Sequence, residues 1–239
     1  MCGRYTLATP ADALRARFPV GESVQLRPRY NVAPGDDVVA VGLRDGAPVG
    51  RLLRWGLVPP WAPDPSGGFR TINARAETVA VKPAYRDAFA RRRCLVLADG
   101  FYEWRRVGRA RQPYHVTRAD GAPFAFAGLW SGWRDPRGGP DGDGWLRTCA
   151  IVTTRANERI AGIHPRMPVI LDPAAEAAWL DPATPPARLH ALLRPLPAEL
   201  TAVRPVSAAV NDARRDGPEC LADPDPAAAV AAPLELPRR

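Results

Sequence analysis

Short apolar runs of strand length recur along most of the chain and are separated by turn residues. Turn sequences such as Arg44-Asp45-Gly46 and Ala119-Asp120-Gly121 stand between them. Apolar runs of about four to eight residues bounded by Gly, Pro and Asp are typical of β-strands. The pattern predicts a mostly antiparallel sheet built from residues 38–41, 52–55, 94–98, 114–116, 124–130 and 146–152.

Helical signals lie between and around these runs. Thr9-Pro10-Ala11-Asp12 predicts a helix start with Thr9 as the N-cap, and Leu14 and Phe18 follow at a spacing of four residues. Residues 1–7 are then predicted to be extended. Further helices are predicted at 154–161, at 174–180 after Asp172-Pro173, and at 186–193. The fold class is therefore α+β, with a strand-rich, mostly antiparallel β core, barrel-like or of two packed sheets, and fringing helices.

Composition narrows the domain organisation. The chain has 239 residues, of which 46% are hydrophobic and 24% charged, and this suits one globular domain with a substantial core. We expect that domain to span residues 1–222, followed by a flexible C-terminal tail at 223–239. The segment 135–144 (DPRGGPDGDG) is also predicted to be flexible.

Neither a membrane segment nor a metal site is indicated. No apolar run approaches the length that crosses a bilayer, and the first ten residues lack the apolar stretch of a secretion signal, so we expect a cytoplasmic protein. The four cysteines, at positions 2, 94, 149 and 220, lie far apart without CxxC spacing. At least three of them are expected to be core thiols, and no cofactor is implied.

The charge balance has two interpretations. The 33 Lys and Arg residues exceed the 25 Asp and Glu residues, and the formal net charge is +8. Such a surplus suits a protein that binds a polyanion such as nucleic acid. Lys82 is the only lysine, however, so an arginine-rich codon usage would explain much of the same surplus.

The second residue is the first candidate for chemistry. Removal of Met1 would expose Cys2 with both a free α-amine and a thiol. Their ordinary pKa values, about 7.7–8.0 for the amine and about 8.5 for the thiol, leave both partly nucleophilic near neutral pH. An amine converts an aldehyde to an imine, and a thiol two carbons away then closes on the imine carbon to give a five-membered thiazolidine.

Other polar residues stand in turn-rich or aromatic sequence, and the Asn31-Val32-Ala33-Pro34-Gly35 stretch predicts a turn. Asn73 and Arg75 would share one face if their segment is extended. Glu103 lies among aromatic residues, which favours a raised pKa and proton transfer, although a solvent-facing strand glutamate fits equally well. His164 precedes Pro165 and is expected on a loop, and Arg166 could bind a phosphate.

Six short motifs follow one another along the chain: Met1-Cys2-Gly3-Arg4-Tyr5, Asn31-Val32-Ala33-Pro34-Gly35, Trp55-Gly56-Leu57, Asn73-Ala74-Arg75-Ala76-Glu77-Thr78, Gly100-Phe101-Tyr102-Glu103-Trp104 and Ile163-His164-Pro165-Arg166-Met167-Pro168. Together, in this order, they resemble the SRAP family (SOS response-associated peptidase), the abasic-site processing proteins. The resemblance extends from Cys2 to about Leu221, and it is weakest at residues 61–68 and 134–144.

The resemblance implies a role for each matching residue. Cys2 would attack the ring-opened sugar aldehyde of an abasic site in single-stranded DNA and form a thiazolidine crosslink that shields the lesion. Asn73 would hydrogen-bond near the reacting sugar, while Glu103 and His164 would transfer protons. Phosphates would be held by Arg4, Arg75 and Arg166, and bases or the lesion would pack on Trp61 and Trp104.

Two other functions remain open at this stage. A thiol peptidase, self-cleaving or general, would use Cys2 as nucleophile and His164 as base. A noncovalent module would bind single-stranded DNA through its Arg and Trp surface alone. An abasic-site lyase activity could accompany crosslinking. Lys82 is a rival imine-forming amine, and we expect it to be a surface residue. We also expect a monomer that binds neither membrane nor metal.

Overall fold

The computed structural model describes residues 2–108, 110–135 and 144–225, and the strands in this part of the chain form two sheets. The strands are β1 (Tyr5–Leu7), β2 (Arg29–Val32), β3 (Asp37–Arg44), β4 (Ala47–Trp55), β5 (Asn73–Arg75), β6 (Arg93–Ala98), β7 (Gly100–Val107), β8 (Ala110–Arg118), β9 (Phe124–Arg134), β10 (Trp145–Arg155), β11 (Arg166–Pro168), β12 (Ile170–Leu171) and β13 (Thr201–Pro205). Their order is β13-β8-β7-β1-β2 in a five-stranded sheet and β11-β10-β4-β3-β6-β9-β12 in the other, where β5 pairs with β10.

The larger sheet closes on itself. Strand β10 pairs in parallel with β4 and antiparallel with β9, so β4, β3, β6, β9 and β10 form a barrel. The five-stranded sheet packs on this barrel through Tyr5, whose ring contacts Trp55 and Phe126 at centroid distances of 5.4 and 5.7 Å. The predicted α+β class, with a mostly antiparallel core and fringing helices, is confirmed.

Short helices pack around the two sheets. The helix after Asp172 is confirmed, because the Asp172 carboxylate accepts a hydrogen bond from Ala175 N at 2.8 Å and caps the first turn. The α-helices are α1 (Ala11–Arg17), α2 (Arg86–Arg91), α3 (Glu158–Ala161), α4 (Pro173–Leu180) and α5 (Pro186–Leu192), and 3-10 helices occupy Pro65–Arg70, Ala198–Leu200, Ala208–Asn211 and Pro218–Leu221. No helix in the described part of the chain combines the length and apolar content that a membrane span requires.

Three local predictions are wrong. Pro10, not Thr9, is the N-cap of α1, because Asp99 binds the Thr9 hydroxyl and the backbone N–H groups of residues 8 and 9. Strand β10 continues to Arg155, so the third helix begins only at Glu158. Asn31, expected in a turn, belongs to β2.

The structure describes only part of the two segments predicted to be flexible. Positions 136–143 of the predicted flexible loop and 226–239 of the predicted tail lie outside the described residues. The four cysteines are all buried, as the core-thiol prediction requires of at least three. Lys82 is exposed, as expected.

Gly100, the first residue of β7, is required by the close approach of a buried imidazole. A Cβ atom at this position would lie 2.1 Å from His115 Nε2 and 2.9 Å from Thr6 Oγ1. Gly100→Ala is therefore expected to lower the free energy of unfolding by about 1–3 kcal/mol through overpacking, as measured by denaturant titration. Gly42→Ala on β3 is the matched control, since nothing lies within 4 Å of its Cβ position. Equal stability of the two variants would contradict the prediction.

Candidate active site

Cys2 lies just before β1 and is fully buried. Its carbonyl oxygen accepts a hydrogen bond from Asn73 Nδ2 at 2.7 Å, and its thiol is 3.9 Å from the carbonyl oxygen of Arg4. Burial raises the pKa of the Cys2 thiol, and the neighbouring Glu103 carboxylate raises it further. The sulfur is therefore held as a neutral thiol beside a carboxyl group.

Glu103 reaches this thiol because β7 runs antiparallel to β1. Tyr5 pairs with Phe101, and Tyr102 N donates to Arg4 O at 3.0 Å, so continuing the register places Gly3 opposite Glu103. Only 3% of Glu103 is exposed, which excludes the alternative of a solvent-facing glutamate. Burial raises the pKa of its carboxyl group, and the opposing attraction of His164 is smaller.

His164 lies on the predicted loop, between α3 and β11. Its Nδ1 is 3.9 Å from Glu103 Oε1, 3.0 Å from Arg166 N and 3.1 Å from Arg166 O. An unprotonated Nδ1 accepts from the N–H, and a protonated Nδ1 donates to the carbonyl oxygen. The loop thus satisfies both protonation states without moving the ring, an arrangement that suits proton transfer.

Asn73 and Arg75 lie on β5, as the sequence predicts for an extended segment. Ala74 between them is buried, so the two polar residues share the other face. Tyr85 Oη donates to the carbonyl oxygen of Asn73 at 2.9 Å and fixes the backbone there. Asn73 Oδ1 is buried and has no hydrogen-bond partner among the described residues. It is an acceptor that a hydroxyl donor could satisfy.

Arg166 is already engaged by protein groups. Its two terminal nitrogens donate to the two carboxylate oxygens of Glu77 at 2.6 and 3.0 Å, and Nη2 also donates to Thr153 O at 2.6 Å. This guanidinium lowers the pKa of Glu77. Arg75, by contrast, is exposed on its strand. Of these two predicted phosphate ligands, Arg75 is the more accessible.

Arg4 and Trp104 lie on the other face of the five-stranded sheet from Glu103. Side chains alternate along β7, so Trp104 shares its face with Tyr102, and the two rings are 6.3 Å apart. Trp104 Nε1 donates to Asn211 Oδ1 at 2.7 Å, and Arg4 Nη1 donates to Val210 O at 3.1 Å. The two predicted DNA-binding residues are therefore anchored on consecutive residues.

Trp61 and Phe69 are exposed aromatic residues on the segment that leads to β5. Their exposed fractions are 66% and 61%. The Phe69 ring packs at Gly35, whose φ of 94° only glycine adopts readily. Trp61 also borders a groove of about 530 Å³ along α2. Trp61 is among the residues predicted to bind DNA, whereas Phe69 is not, because no local pattern distinguishes its exposure from burial.

Cys2, Asn73, Glu103 and His164 thus converge between β1 and β7 of one sheet and the strands beside β10 of the other. Asn31 and Asn211, which have no role predicted from the sequence, make hydrogen bonds that hold the opposite face of the sheet together. Across residues 2–108, 110–135 and 144–225, no three His, Cys, Asp or Glu side chains cluster as metal ligands would.

This combination of fold and site defines an α+β protein with a candidate cysteine-centred site. The family model described as SOS response associated peptidase (SRAP) matches residues 1–213, and the chain belongs to that family. It is 40% identical over 228 residues to Abasic site processing protein YoqW of Bacillus subtilis, covering 92% of this chain and 99% of that protein.

Two further relatives extend the comparison. Abasic site processing protein HMCES of Gallus gallus is 39% identical, with 92% of this chain and 77% of that protein covered. A crystal structure of a protein from Bacteroides thetaiotaomicron superposes with a TM-score of 0.80 at 26% identity, covering 93% of this chain and 99% of that one. The resemblance identified from the motifs is confirmed at the level of the family.

Proposed function

We propose that this protein recognises abasic sites in single-stranded DNA and captures them covalently through Cys2. The observation that carries the proposal is the convergence of the buried Cys2 with Asn73 and Glu103, with His164 3.9 Å beyond Glu103. The names of the YoqW and HMCES relatives, which are abasic site processing proteins, support the same lesion.

The proposed reaction joins an aldehyde to an aminothiol with loss of one water. After Met1 is removed, the Cys2 amine attacks the aldehyde carbon of the ring-opened sugar, and the resulting carbinolamine loses water to give an imine. The Cys2 sulfur then bonds to the imine carbon while its proton passes to the nitrogen, which closes the thiazolidine. Both nucleophiles belong to one residue, so ring closure is intramolecular.

Proton transfer is the task proposed for Glu103 and His164. An abasic sugar rests mainly as a closed hemiacetal, so a proton must leave its hydroxyl and another must reach the ring oxygen before the aldehyde appears. The buried Glu103, with its raised pKa, and the His164 ring beside it form a suitable pair. Asn73 Oδ1 would accept a hydrogen bond from the sugar.

The environment of the thiol supports crosslinking over general proteolysis. Cysteine peptidases depend on a thiolate stabilised by a nearby imidazolium. Here burial and the Glu103 carboxylate both raise the pKa of Cys2, so the thiolate is disfavoured. A neutral thiol that follows the amine into an imine is compatible with this environment.

Denaturing electrophoresis with a labelled single-stranded oligonucleotide tests the proposal. We expect the protein, with Met1 shown by mass to be absent, to form a band that survives denaturation and consumes protein and abasic sites one for one. The tetrahydrofuran analogue of the site has no aldehyde and should give salt-sensitive binding only. Turnover of peptides without a DNA adduct would support the peptidase, and equal behaviour of both oligonucleotides would support the noncovalent module.

Arg75 is proposed to contact one phosphate, and its removal has a measurable signature. Arg75→Ala is expected to weaken binding to every single strand and to reduce the slope of log K against log salt by about 0.7, the value for one lost contact. The equivalent substitution of the exposed Arg188 on α5, which carries no site residue, should leave the slope unchanged. Fluorescence anisotropy at several salt concentrations measures both. An unchanged Arg75→Ala slope would place this residue outside the DNA interface.

A further inference from the structure

The segment 206–222, called here the C-terminal segment, is fastened to the sheet by a buried asparagine. Asn31 is 1% exposed, and its Nδ2 lies 3.3, 3.0 and 2.8 Å from the carbonyl oxygens of Val210, Asp212 and Arg215. Asp216 accepts hydrogen bonds from the backbone N–H groups of residues 30 and 31. These contacts fix the C-terminal segment relative to β2.

The fixed segment holds two side chains of the candidate DNA interface. Val210 O accepts from Arg4 Nη1 at 3.1 Å, and the same Arg4 nitrogen donates to Asn31 Oδ1 at 3.0 Å. The next residue, Asn211, accepts from Trp104 Nε1 at 2.7 Å. Arg4 and Trp104 therefore bind to consecutive residues, and the single peptide unit between those residues sets the spacing of the Arg4 guanidinium and the Trp104 indole.

The Trp104 indole combines apolar packing with one directional contact through its N–H group. Trp104 packs against a small cluster formed by Tyr102, Val206, Val210 and Cys220. These contacts are nondirectional, whereas the bond from Nε1 to Asn211 Oδ1 fixes the rotation of the ring about its own axis.

We infer that Asn211 is a positioning residue for single-stranded DNA: it holds the Trp104 indole in the orientation in which a base stacks on it. This inference rests on the proposed function. A stacked base requires a fixed ring plane, and aromatic stacking accepts any base. Asn211 acts through Trp104, so it contributes to the binding of the strand and leaves the reaction at Cys2 unchanged.

A double-mutant cycle tests this inference. Asn211→Leu removes the acceptor while keeping a similar volume, and Asn211→Ala provides a second variant in case leucine does not fit. Each is made in the wild-type chain and in the Trp104→Phe chain, whose ring has no N–H group. Crosslinking rate against DNA concentration then gives a half-saturating concentration and a saturating rate.

In the wild-type background we expect the half-saturating concentration to rise about fivefold, the factor that one modest hydrogen bond contributes, with an unchanged saturating rate. In the Trp104→Phe background we expect no further rise. An equal rise in both backgrounds, no rise in the wild-type background, or a lower saturating rate at unchanged half-saturation would overturn the inference. If the unmodified protein forms no adduct at all, the proposed function fails instead.

Discussion

Cys2→Ala is expected to abolish the adduct that survives denaturation while leaving salt-sensitive binding to single-stranded DNA in place. The alanine variant retains an N-terminal amine after Met1 is removed but has no sulfur to close the ring. Its imine should therefore form reversibly and be lost in denaturant. Binding should remain within about threefold of the wild-type affinity, because phosphate contacts and stacking supply it.

A reductant distinguishes the contribution of the Cys2 amine from that of the Cys2 thiol. Borohydride reduces an imine to a stable amine, so we expect the Cys2→Ala variant to give a stable adduct only when borohydride is present. The wild-type adduct needs none, because the thiazolidine is already closed. Lys82→Ala is the matched control, since Lys82 is the only lysine and is exposed. A stable, reductant-free adduct of Cys2→Ala that disappears in the double variant with Lys82→Ala would assign the chemistry to Lys82.

Local patterns predicted the strands that carry an apolar run of their own, namely β3, β4, β6, β8, β9 and β10, and missed short strands such as β2 and β13. The apolar run at 94–98 is the centre of β6, and Asp172-Pro173 begins α4 as its capping chemistry requires. The errors arose where a distant residue competes with a local signal. Thr9 resembles an N-cap, yet its hydroxyl donates to Asp99. No sequence pattern around Thr9 indicates that a carboxylate ninety positions away takes this hydrogen bond.

The same limit applies to the candidate site. Asn73 and Arg75 could be placed on one face from strand periodicity alone. The burial of Glu103 could not be predicted in this way, because a glutamate among aromatic residues fits either face of a strand. Only the pairing of β7 with β1 turns its side chain inward. The distances that bring His164 to Glu103 depend on how β11 pairs with β10, a contact between segments far apart in sequence.

Asn31 and Asn211 illustrate a second reason for missing residues. Asn31 stood in a motif that suggested a turn, and its side chain instead binds three carbonyl oxygens of the C-terminal segment. Side-chain bonds to backbone carry no periodic signature, so neither partner is apparent from its own neighbourhood. The resemblance to the family supplied roles for groups proposed to touch DNA and none for groups that position them.

Glu103→Gln is expected to slow crosslinking by roughly 10²–10⁴-fold, the usual contribution of a general acid or base, while making the protein more stable at neutral pH. Glutamine keeps the shape of the side chain but cannot exchange a proton. Burial raises the pKa of Glu103 above its ordinary value of 4.5, so the stability contributed by this group is present below that value and is lost as pH rises through the raised pKa. The variant has no such loss, and its thermal midpoint should exceed that of wild type by more at pH 7 than at pH 4.

The crosslinking rate and the thermal midpoint together distinguish a proton-transfer role of Glu103 from a structural one. A structural carboxylate would give a variant that is both slower and less stable, whereas a proton-transfer group gives one that is slower and more stable. The wild-type rate should also vary with pH across the raised pKa of Glu103, and the variant should lack this part of the profile. Glu199→Gln, the same change at an exposed position, is the control and should alter neither rate nor midpoint. Crosslinking by Glu103→Gln at the wild-type rate would remove Glu103 from the proposed reaction and leave His164 as the group to test for proton transfer.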